Sequence, residues 1–278
     1  MSIDPELRSL NIDVPACPAT LVKLSMMLAQ EKVPVQEVSN LIASDMALGS
    51  AIVRTVNSAM FGLLRRVETV HEAVRYLGMR EVAGITYEMG LRAAFPPGPL
   101  IERVWRRAGL RGVAMGRVAT ALDIDAWLAH TSGLFAEGGR AVLYAHDRQR
   151  YGELESVSAT EQEMIDAEIR AFGVSHAALG AALCQAWGLA PQVIEFVRSR
   201  CRFTGDWSQW PQEVQQLLVL GRSVDAHLCD DAIVMPQEEA EARQALDALA
   251  QQAGLSAEML HDEVHRVCQS LCDNLTDQ

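Results

Sequence analysis

The sequence predicts an all-helical fold, a multi-helix bundle with an N-terminal helical lobe. Apolar residues recur at intervals of three and four almost everywhere, and no convincing run alternates between apolar and polar residues as a strand does. The 278 residues are 49% hydrophobic and 22% charged, which indicates a globular chain with a sizeable core. This composition excludes disorder, collagen and coiled coil as descriptions of the whole chain, and its length allows one large domain or two moderate ones.

Five helices are predicted before residue 95, and capping residues mark several of their ends. Asp45 immediately precedes the third segment of helical periodicity, as an N-cap does. Thr69 and Glu72 have the spacing of a capping box, and Gly78 is suited to end the helix that they begin. The predicted helices cover about residues 15–30, 35–44, 46–59, 70–78 and 80–94.

The segment Phe95–Pro99 is the predicted boundary along the chain. Its three prolines remove backbone donors and restrict φ, so a helix cannot continue through it. We therefore divide the chain into an N-terminal helical lobe over residues 1–95, a helical core over residues 100–205 and a helical extension over residues 206–278. Two helices, over about residues 101–122 and 125–135, should open the core. A turn at Gly138 and Gly139 should then lead to a short apolar segment over residues 141–145.

Further capping signals organise the rest of the chain. Ser158 and Glu161 have capping-box spacing before a helix that should end near Gly173. Ser175 is a predicted N-cap for the next helix, which should stop at Gly188. A helix beginning at Pro191 and three more over about residues 211–228, 238–253 and 256–271 complete the prediction.

The charge pattern limits the partners of the chain. With 24 basic and 36 acidic residues the formal charge is −12, and such a surface repels nucleic acid and anionic membranes. No apolar run approaches the roughly 18 residues of a membrane span, and the N-terminus has no secretion signal, so we expect a cytoplasmic protein with reduced cysteines. The helix after Gly78 lacks the basic residues that DNA binding requires, which disfavours a helix-turn-helix reading.

Several motifs together resemble the HDOD family of bacterial signalling proteins. They are Pro15–Pro18, Ile42–Leu48, Val56–Gly62, Val70–Gly78, and Gly173–Leu183 followed by Ala186–Leu189. The resemblance covers roughly residues 12 to 205 and implies an all-helical fold related to the HD phosphohydrolases, which makes residues 100–205 a degenerate HD-like core. The motif residues to which we assign structural roles are Asn57, Ser58, Gly62, Gly78, Gly180, Trp187 and Gly188.

The resemblance also implies where the metal ligands of an HD phosphohydrolase would stand. The first His of the superfamily falls near Arg107, its adjacent His-Asp pair appears as Ala136-Glu137, and a later His-His pair is Arg200-Cys201. Only His176 remains. Because Arg stays protonated, Arg107 and Arg200 place fixed positive charge where a cation should bind. We therefore expect no metal, no cofactor and no phosphohydrolase activity.

Arg107, Glu137, His176 and Arg200 define the candidate pocket at the former metal position. The sequence leaves open whether they form a buried ion-pair network or a vestigial anion site. The helix from Ile101 carries five arginines, which either bind a nucleotide or phosphoprotein or form a solvated, salt-bridged face. These are Arg103, Arg106, Arg107, Arg111 and Arg117.

The last predicted helix carries a stripe of His261, His265, Cys268 and Cys272, spaced by four, three and four residues. A soft-metal site is one reading. A parallel apolar stripe lies one residue away, and one straight helix cannot wrap four ligands around an ion, so the stripe is better explained as the edge of a buried face.

These observations favour a non-enzymatic regulatory or adaptor protein of bacterial signal transduction. It would act through contacts with a protein partner and without DNA or membrane binding. Two alternatives remain. One is a metal-dependent HD-superfamily phosphohydrolase with atypical ligands, which the absence of the His-Asp pair from the sequence disfavours. The other is a domain that senses an anionic small molecule or nucleotide through its arginine-lined pocket.

Overall fold

The computed structural model describes residues 12–28, 33–158, 160–201, 207–229, 232–233 and 240–276. These residues are overwhelmingly helical, which confirms the predicted fold class. A two-stranded antiparallel ladder joins β1 (Leu228–Cys229) to β2 (Ala232–Ile233). Strands of two residues are too short to show an alternating pattern, so the sequence did not predict them. None of the described helices combines the length and the apolar character that crossing a membrane requires.

The N-terminal lobe has the predicted helices and most of the predicted caps. Asp45 accepts a hydrogen bond from the backbone N–H of Leu48 at 3.0 Å. Thr69 accepts one from the backbone N–H of Glu72, but the Glu72 carboxylate accepts from Glu68 and leaves the capping box half-formed. The predicted end near Gln30 lies outside the described residues. The helices are α1 (Ala19–Leu28), α2 (Val35–Ala43), α3 (Met46–Val56), α4 (Val70–Leu77) and α5 (Met79–Ala93), with a 3-10 turn over Ala59–Phe61.

The central segment contains more helix than the sequence predicted. Gly138 and Gly139 begin a helix, so the predicted turn was wrong. The helix over residues 148–157 was not predicted, because Tyr151 is its only buried residue and leaves almost no apolar periodicity. The elements are α6 (Pro99–Ala121), α7 (Ala126–Phe135), α8 (Gly138–His146), α9 (Arg148–Val157), α10 (Glu161–Phe172), α11 (His176–Ala186) and α12 (Pro191–Ser199).

The predicted caps of this segment need one correction. The capping box of α10 is formed by Thr160 and Glu163, two residues after the predicted pair. Ser158 instead ends α9 and donates its hydroxyl to the carbonyl of Leu154. The left-handed Gly173 ends α10, and Ser175 caps α11, both as predicted.

The C-terminal helices pack back onto the rest of the chain. Helix α13 lies against α6 and α12, while α15 lies against α6 and the 3-10 turn of the N-terminal lobe. The predicted start near Glu238 lies outside the described residues. Buried side chains from Leu21 to Leu271 form one continuous hydrophobic cluster. The elements are a 3-10 turn (Trp207–Gln209), α13 (Gln212–Asp225), α14 (Ala240–Gln252) and α15 (Ala257–Thr276).

Glycines allow the central helices to approach backbone to backbone. A Cβ on Gly139 would lie 1.8 Å from the carbonyl oxygen of His176, so α8 meets α11 without an intervening side chain. A Cβ on Gly133 would lie 2.9 Å from backbone atoms of Gly112, which brings α7 equally close to α6. Glu137 lies between α7 and α8. The α6–α7 contact precedes it and the α8–α11 contact follows it, and together they fix the position of its backbone.

The α8–α11 contact predicts that alanine at Gly139 destabilises the protein, whereas alanine at a glycine outside the contact does not. Gly139→Ala should lower the free energy of unfolding by about 3 kcal/mol or more, because its methyl group overlaps rigid backbone. Gly152→Ala is the matched control. Nothing lies within 4 Å of its new Cβ, so the better helix propensity of Ala should stabilise α9 by up to about 1 kcal/mol. Urea unfolding of both variants measures this, and equal stability changes would contradict the close contact.

Candidate functional site

A cluster of charged side chains fills the position where the sequence places the former metal ligands. Glu137 lies between α7 and α8, and its side chain is only 3% exposed. Helix α6 contributes two arginines that are one turn apart. Helix α8 contributes one arginine, and one more lies at the end of α12. These four guanidinium groups belong to Arg107, Arg111, Arg140 and Arg200.

Glu137 is the centre of this cluster. Its Oε1 lies 2.9 Å from Arg111 Nη1 and 3.3 Å from Arg200 Nη2. Its Oε2 lies 2.8 Å from Arg140 Nε, and Arg107 Nε approaches Oε1 at 3.8 Å. Burial alone would raise the pKa of the Glu137 carboxyl, but the four guanidinium groups outweigh it and hold this pKa well below its usual value. Glu137 is therefore ionised at neutral pH.

Arg111 carries the network to the C-terminal helices. Its side chain is 0% exposed, and its Nε donates to Asp225 Oδ1 at 2.6 Å, at the end of α13. Arg200 donates to the carbonyl of Ala136 at 3.1 Å and lies 3.9 Å from Asp225 Oδ2. A guanidinium group buried this deeply is stabilised only by such complementary charges.

A second group of side chains surrounds His176, the first residue of α11. Its Nδ1 lies 2.7 Å from Glu168 Oε2, and its Nε2 lies 3.1 Å from Glu161 Oε1. Burial and Arg140 act to lower the pKa of His176, but the partners Glu168, Cys201 and Glu161 outweigh them and raise it well above its usual value. His176 is therefore an imidazolium that donates to two carboxylates.

Glu161 joins the two groups. Its carboxylate pairs with Arg140 through Oε2 and lies 3.4 Å from Arg200 Nη2 through Oε1. Burial raises its pKa, but the hydrogen bond from His176 and the two arginines lower it well below its usual value. Four carboxylates, those of Glu137, Glu161, Glu168 and Asp225, thus oppose four guanidinium groups and one imidazolium.

These residues do not fit the pair of divalent metals that the HD resemblance implies. At the expected ligand positions the structure has two guanidinium groups, the methyl group of Ala136 and a carboxylate already paired with arginines, and only His176 and Cys201 there could ligate a metal. Arginine offers no lone pair to a metal. The cations that neutralise Glu137 here are guanidinium groups, and this is the arrangement of a buried ion-pair network.

The structure brings the four predicted pocket residues into this network, although not all in direct contact. Arg200 contacts Glu137, Arg107 lies at the edge, and His176 connects only through Glu161. Sequence reasoning did not assign five further members to the pocket, although it named Arg111 among the arginines of α6. One signal was available, since Glu161 and Glu168 are seven residues apart and therefore share a face of α10. The missed members are Arg111, Arg140, Glu161, Glu168 and Asp225.

The motif residues in the N-terminal half make structural contacts. The Asn57 amide donates to the carbonyls of Val53 and Val67 and accepts from the Val67 N–H, at 2.8–2.9 Å. These bonds tie the end of α3 to the segment before α4. Ser58 lies in the turn that follows, where its carbonyl accepts from the Phe61 N–H. Positive φ angles of 56° at Gly62 and 87° at Gly78 explain why glycine stands at both positions.

The motif residues in the second half also support the fold. Trp187 Nε1 donates to the carbonyl of Pro15 at 2.9 Å, so the first and the last of the family-like motifs are in direct contact. Gly188 has a φ of 70° after the end of α11. Gly180 lies at the α8–α11 contact, where a Cβ would come within 2.8 Å of the Val197 side chain.

The other candidate clusters are mostly explained by pairing. Arg103 pairs with Glu155 at 2.9 Å and Arg117 with Glu81 at 3.3 Å, which matches the salt-bridged reading of α6. In the α15 stripe, His261 pairs with Asp247 at 2.6 Å, and burial raises the pKa of the Cys268 thiol to about 12. Within the described part of the chain, no three metal-ligating groups of this stripe converge.

A polar cleft of about 790 Å³ opens beside the ion-pair network. Three arginines, two carboxylates and three hydroxyl groups from the α9–α10 junction line it, namely Arg103, Arg107, Arg140, Glu155, Glu161, Ser156, Ser158 and Thr160. The Nε of Arg107 is buried and has no hydrogen-bond partner among the described residues. The Arg107 side chain as a whole is 34% exposed, so its guanidinium group can contact an anion in the cleft.

The buried Arg111 predicts a large loss of stability on substitution. Arg111→Met should lower the free energy of unfolding by about 3–5 kcal/mol, because it removes the nearest of the three cations on Glu137 Oε1 and the charge opposite Asp225. Arg103→Met, on the same helix face, removes the exposed pair with Glu155 and should cost less than about 1 kcal/mol. Chemical unfolding of both variants provides the comparison, and a small effect of Arg111→Met would refute the structural role of the network.

Comparison with known proteins agrees with this architecture. The family model of the HDOD domain matches residues 14–202. An uncharacterized protein from Treponema pallidum (strain Nichols) is 26% identical over 212 residues, which are 74% of this chain, while the chain spans only 40% of that protein's length.

Solved structures share the fold at low sequence identity. An HDOD domain protein from Geobacter sulfurreducens has 15% identity and a TM-score of 0.71, over 97% of this chain and 96% of its own. A structure named as a candidate phosphohydrolase, from Shewanella amazonensis SB2B, has 18% identity and a TM-score of 0.70 over 98% of both chains. The response regulator MmoQ from Methylococcus capsulatus strain Bath has 22% identity and a TM-score of 0.50, over 91% of this chain and 98% of its own. The match of the family model over most of the chain shows that this protein belongs to the HDOD family.

Proposed function

We propose that this HDOD protein is a non-enzymatic regulatory protein of bacterial signal transduction that acts through protein contacts. The observation that carries the proposal is the state of Glu137, whose carboxylate is buried and surrounded by four guanidinium groups. Metal-dependent phosphate hydrolysis needs a cation that polarises both phosphate and water. Fixed side-chain cations that are already paired perform neither task, so the site supports a stable scaffold and not a reaction centre.

The names of structural neighbours are divided between the two readings. MmoQ is named a response regulator, while one Shewanella amazonensis structure is named as a candidate phosphohydrolase. Their identities of 22% and 18% carry the fold alone. The choice between regulation and catalysis therefore rests on the residues of this chain, and the guanidinium groups of Arg107 and Arg200 at the ligand positions favour regulation.

The proposal predicts that purified protein hydrolyses neither phosphodiesters nor nucleotides when Mn²⁺ or Mg²⁺ is supplied. An active HD phosphohydrolase assayed in parallel serves as the positive control. Metal-dependent turnover by this chain that disappears in His176→Ala would overturn the proposal in favour of an enzyme with atypical ligands. Affinity capture of the intact chain from its native cell then identifies the partner through which it acts.

A second candidate function is the sensing of an anionic small molecule in the polar cleft. The Arg107 side chain favours it, since it is 34% exposed and reaches Glu137 only at 3.8 Å, which leaves its guanidinium group available to an anion in the cleft. Three arginines and three hydroxyl groups of the lining also suit a phosphate group, although Arg103 and Arg140 already pair with Glu155 and Glu161 there. The cleft lies beside the network and does not require its disruption.

Calorimetry with inorganic phosphate and with cyclic dinucleotides tests this sensing function. Saturable binding that Arg107→Ala weakens by about tenfold or more is expected, because a charge-assisted hydrogen bond is lost. Arg266→Ala, which removes an exposed arginine on α15, should leave the affinity unchanged. Absence of binding by the wild type, or equal affinity in Arg107→Ala, eliminates the sensing function and leaves the adaptor.

A further inference from the structure

A thiol, an imidazole and a carboxylate converge at one end of the ion-pair network. Cys201 Sγ lies 3.2 Å from Glu161 Oε1 and 3.5 Å from His176 Nε2, and the latter two atoms are 3.1 Å apart. Glu161 and His176 are the first residues of α10 and α11, and Cys201 follows α12. Three separate helical segments thus bring the sulfur, nitrogen and oxygen atoms within 3.1–3.5 Å of one another.

The dimensions of this triangle resemble one face of a tetrahedral zinc site. Ordinary bond lengths of zinc to sulfur, nitrogen and oxygen place the ligand atoms about 3.4 Å apart for N and O, about 3.5 Å for N and S and about 3.6 Å for O and S. Each separation in the structure is within about 0.4 Å of these values. Small side-chain rotations are therefore enough to admit the ion.

The surroundings of His176 are those of a metal-binding imidazole. Its Nδ1 is held by Glu168 at 2.7 Å, and the other oxygen of Glu168 accepts a hydrogen bond from the Tyr151 hydroxyl at 2.9 Å. A carboxylate on one ring nitrogen fixes the ring and leaves the other nitrogen for the metal. Glu168 thus orients Nε2 toward Glu161 and Cys201.

We infer that Glu161, His176 and Cys201 bind one zinc ion. The sulfur ligand favours zinc over Mg²⁺ or Mn²⁺, which prefer oxygen ligands. Among the described residues no fourth His, Cys, Asp or Glu joins the three, so water would complete the coordination. The site lacks Glu137 and adds Glu161 to His176 and Cys201, which stand at two of the positions where the HD resemblance places ligands, so it is a different ligand set at one end of the former metal position.

The charge of the network is compatible with this ion. Binding forms Zn–S, Zn–N and Zn–O bonds, and it releases to solvent the thiol proton of Cys201 and the proton of His176 Nε2. Two protons leave as one divalent ion enters, so the net charge of the cluster does not change. Arg200 Nη2, now 3.4 Å from Glu161 Oε1, gives up that contact and keeps its contacts with Glu137 and Ala136. Arg140 continues to pair with the other oxygen of Glu161.

The test uses the full chain, freed of metal with a chelator and then titrated with Zn²⁺ or Co²⁺. We expect one zinc per chain by elemental mass spectrometry, a rise in Tm and, with Co²⁺, a thiolate-to-cobalt charge-transfer band. Cys201→Ser should abolish this band, and Glu168→Gln should weaken zinc affinity by about 10–100-fold while the band remains. Circular dichroism shows whether each variant is folded.

Two matched cysteine variants locate the site. Cys17→Ser, in the N-terminal segment, and Cys272→Ser, in the α15 stripe, should both keep the charge-transfer band and the zinc stoichiometry. Absence of zinc binding by the wild type overturns the inference. A band that survives in folded Cys201→Ser, or one that is lost in Cys272→Ser, would also overturn it, because the thiolate ligand would then lie elsewhere.

Discussion

The burial of the Glu137 carboxylate is the constraint on which the centre of this protein depends. A carboxylate withdrawn from water must be matched by positive charge, and here helices α6, α8 and α12 each supply it. Arg111 in turn needs Asp225 of α13, so the requirement extends to the C-terminal helices. One buried charge thus determines how four helices must be placed relative to one another, independently of the hydrophobic core that surrounds them.

This network explains how the fold of the proposed regulatory protein is held together at its centre without the HD metal pair. A metal centre holds helices together because anionic and neutral ligands share a central cation. Guanidinium groups provide the same kind of central positive charge as part of the chain itself, and they need no supply of metal. In the regulatory protein proposed above, Arg107, Ala136 and Arg200 stand where ligands of the HD metal pair would be expected, and the fold does not depend on that pair.

The extent to which the sequence predicted this structure differs between local and long-range features. Asp45, Thr69 and Ser175 cap helices as predicted, because a cap depends on residues only three positions apart. Arg111 was assigned to a helix face, but its pairing with Asp225, 114 residues away, left no trace in local periodicity. The predicted turn at Gly138 and Gly139 failed for a related reason. Those glycines serve a contact with α11 and not a local bend.

The backbone contact between Gly139 and Gly180 has a mechanical consequence. Two helices separated by side chains can slide, because rotamers adjust to small shifts, whereas helices in backbone contact have no such compliant layer between them. Helices α8 and α11 therefore move as one rigid body that carries both Arg140 and His176. A rearrangement that a partner imposes on the network would therefore move α6, α10, α12 or α13 relative to this pair.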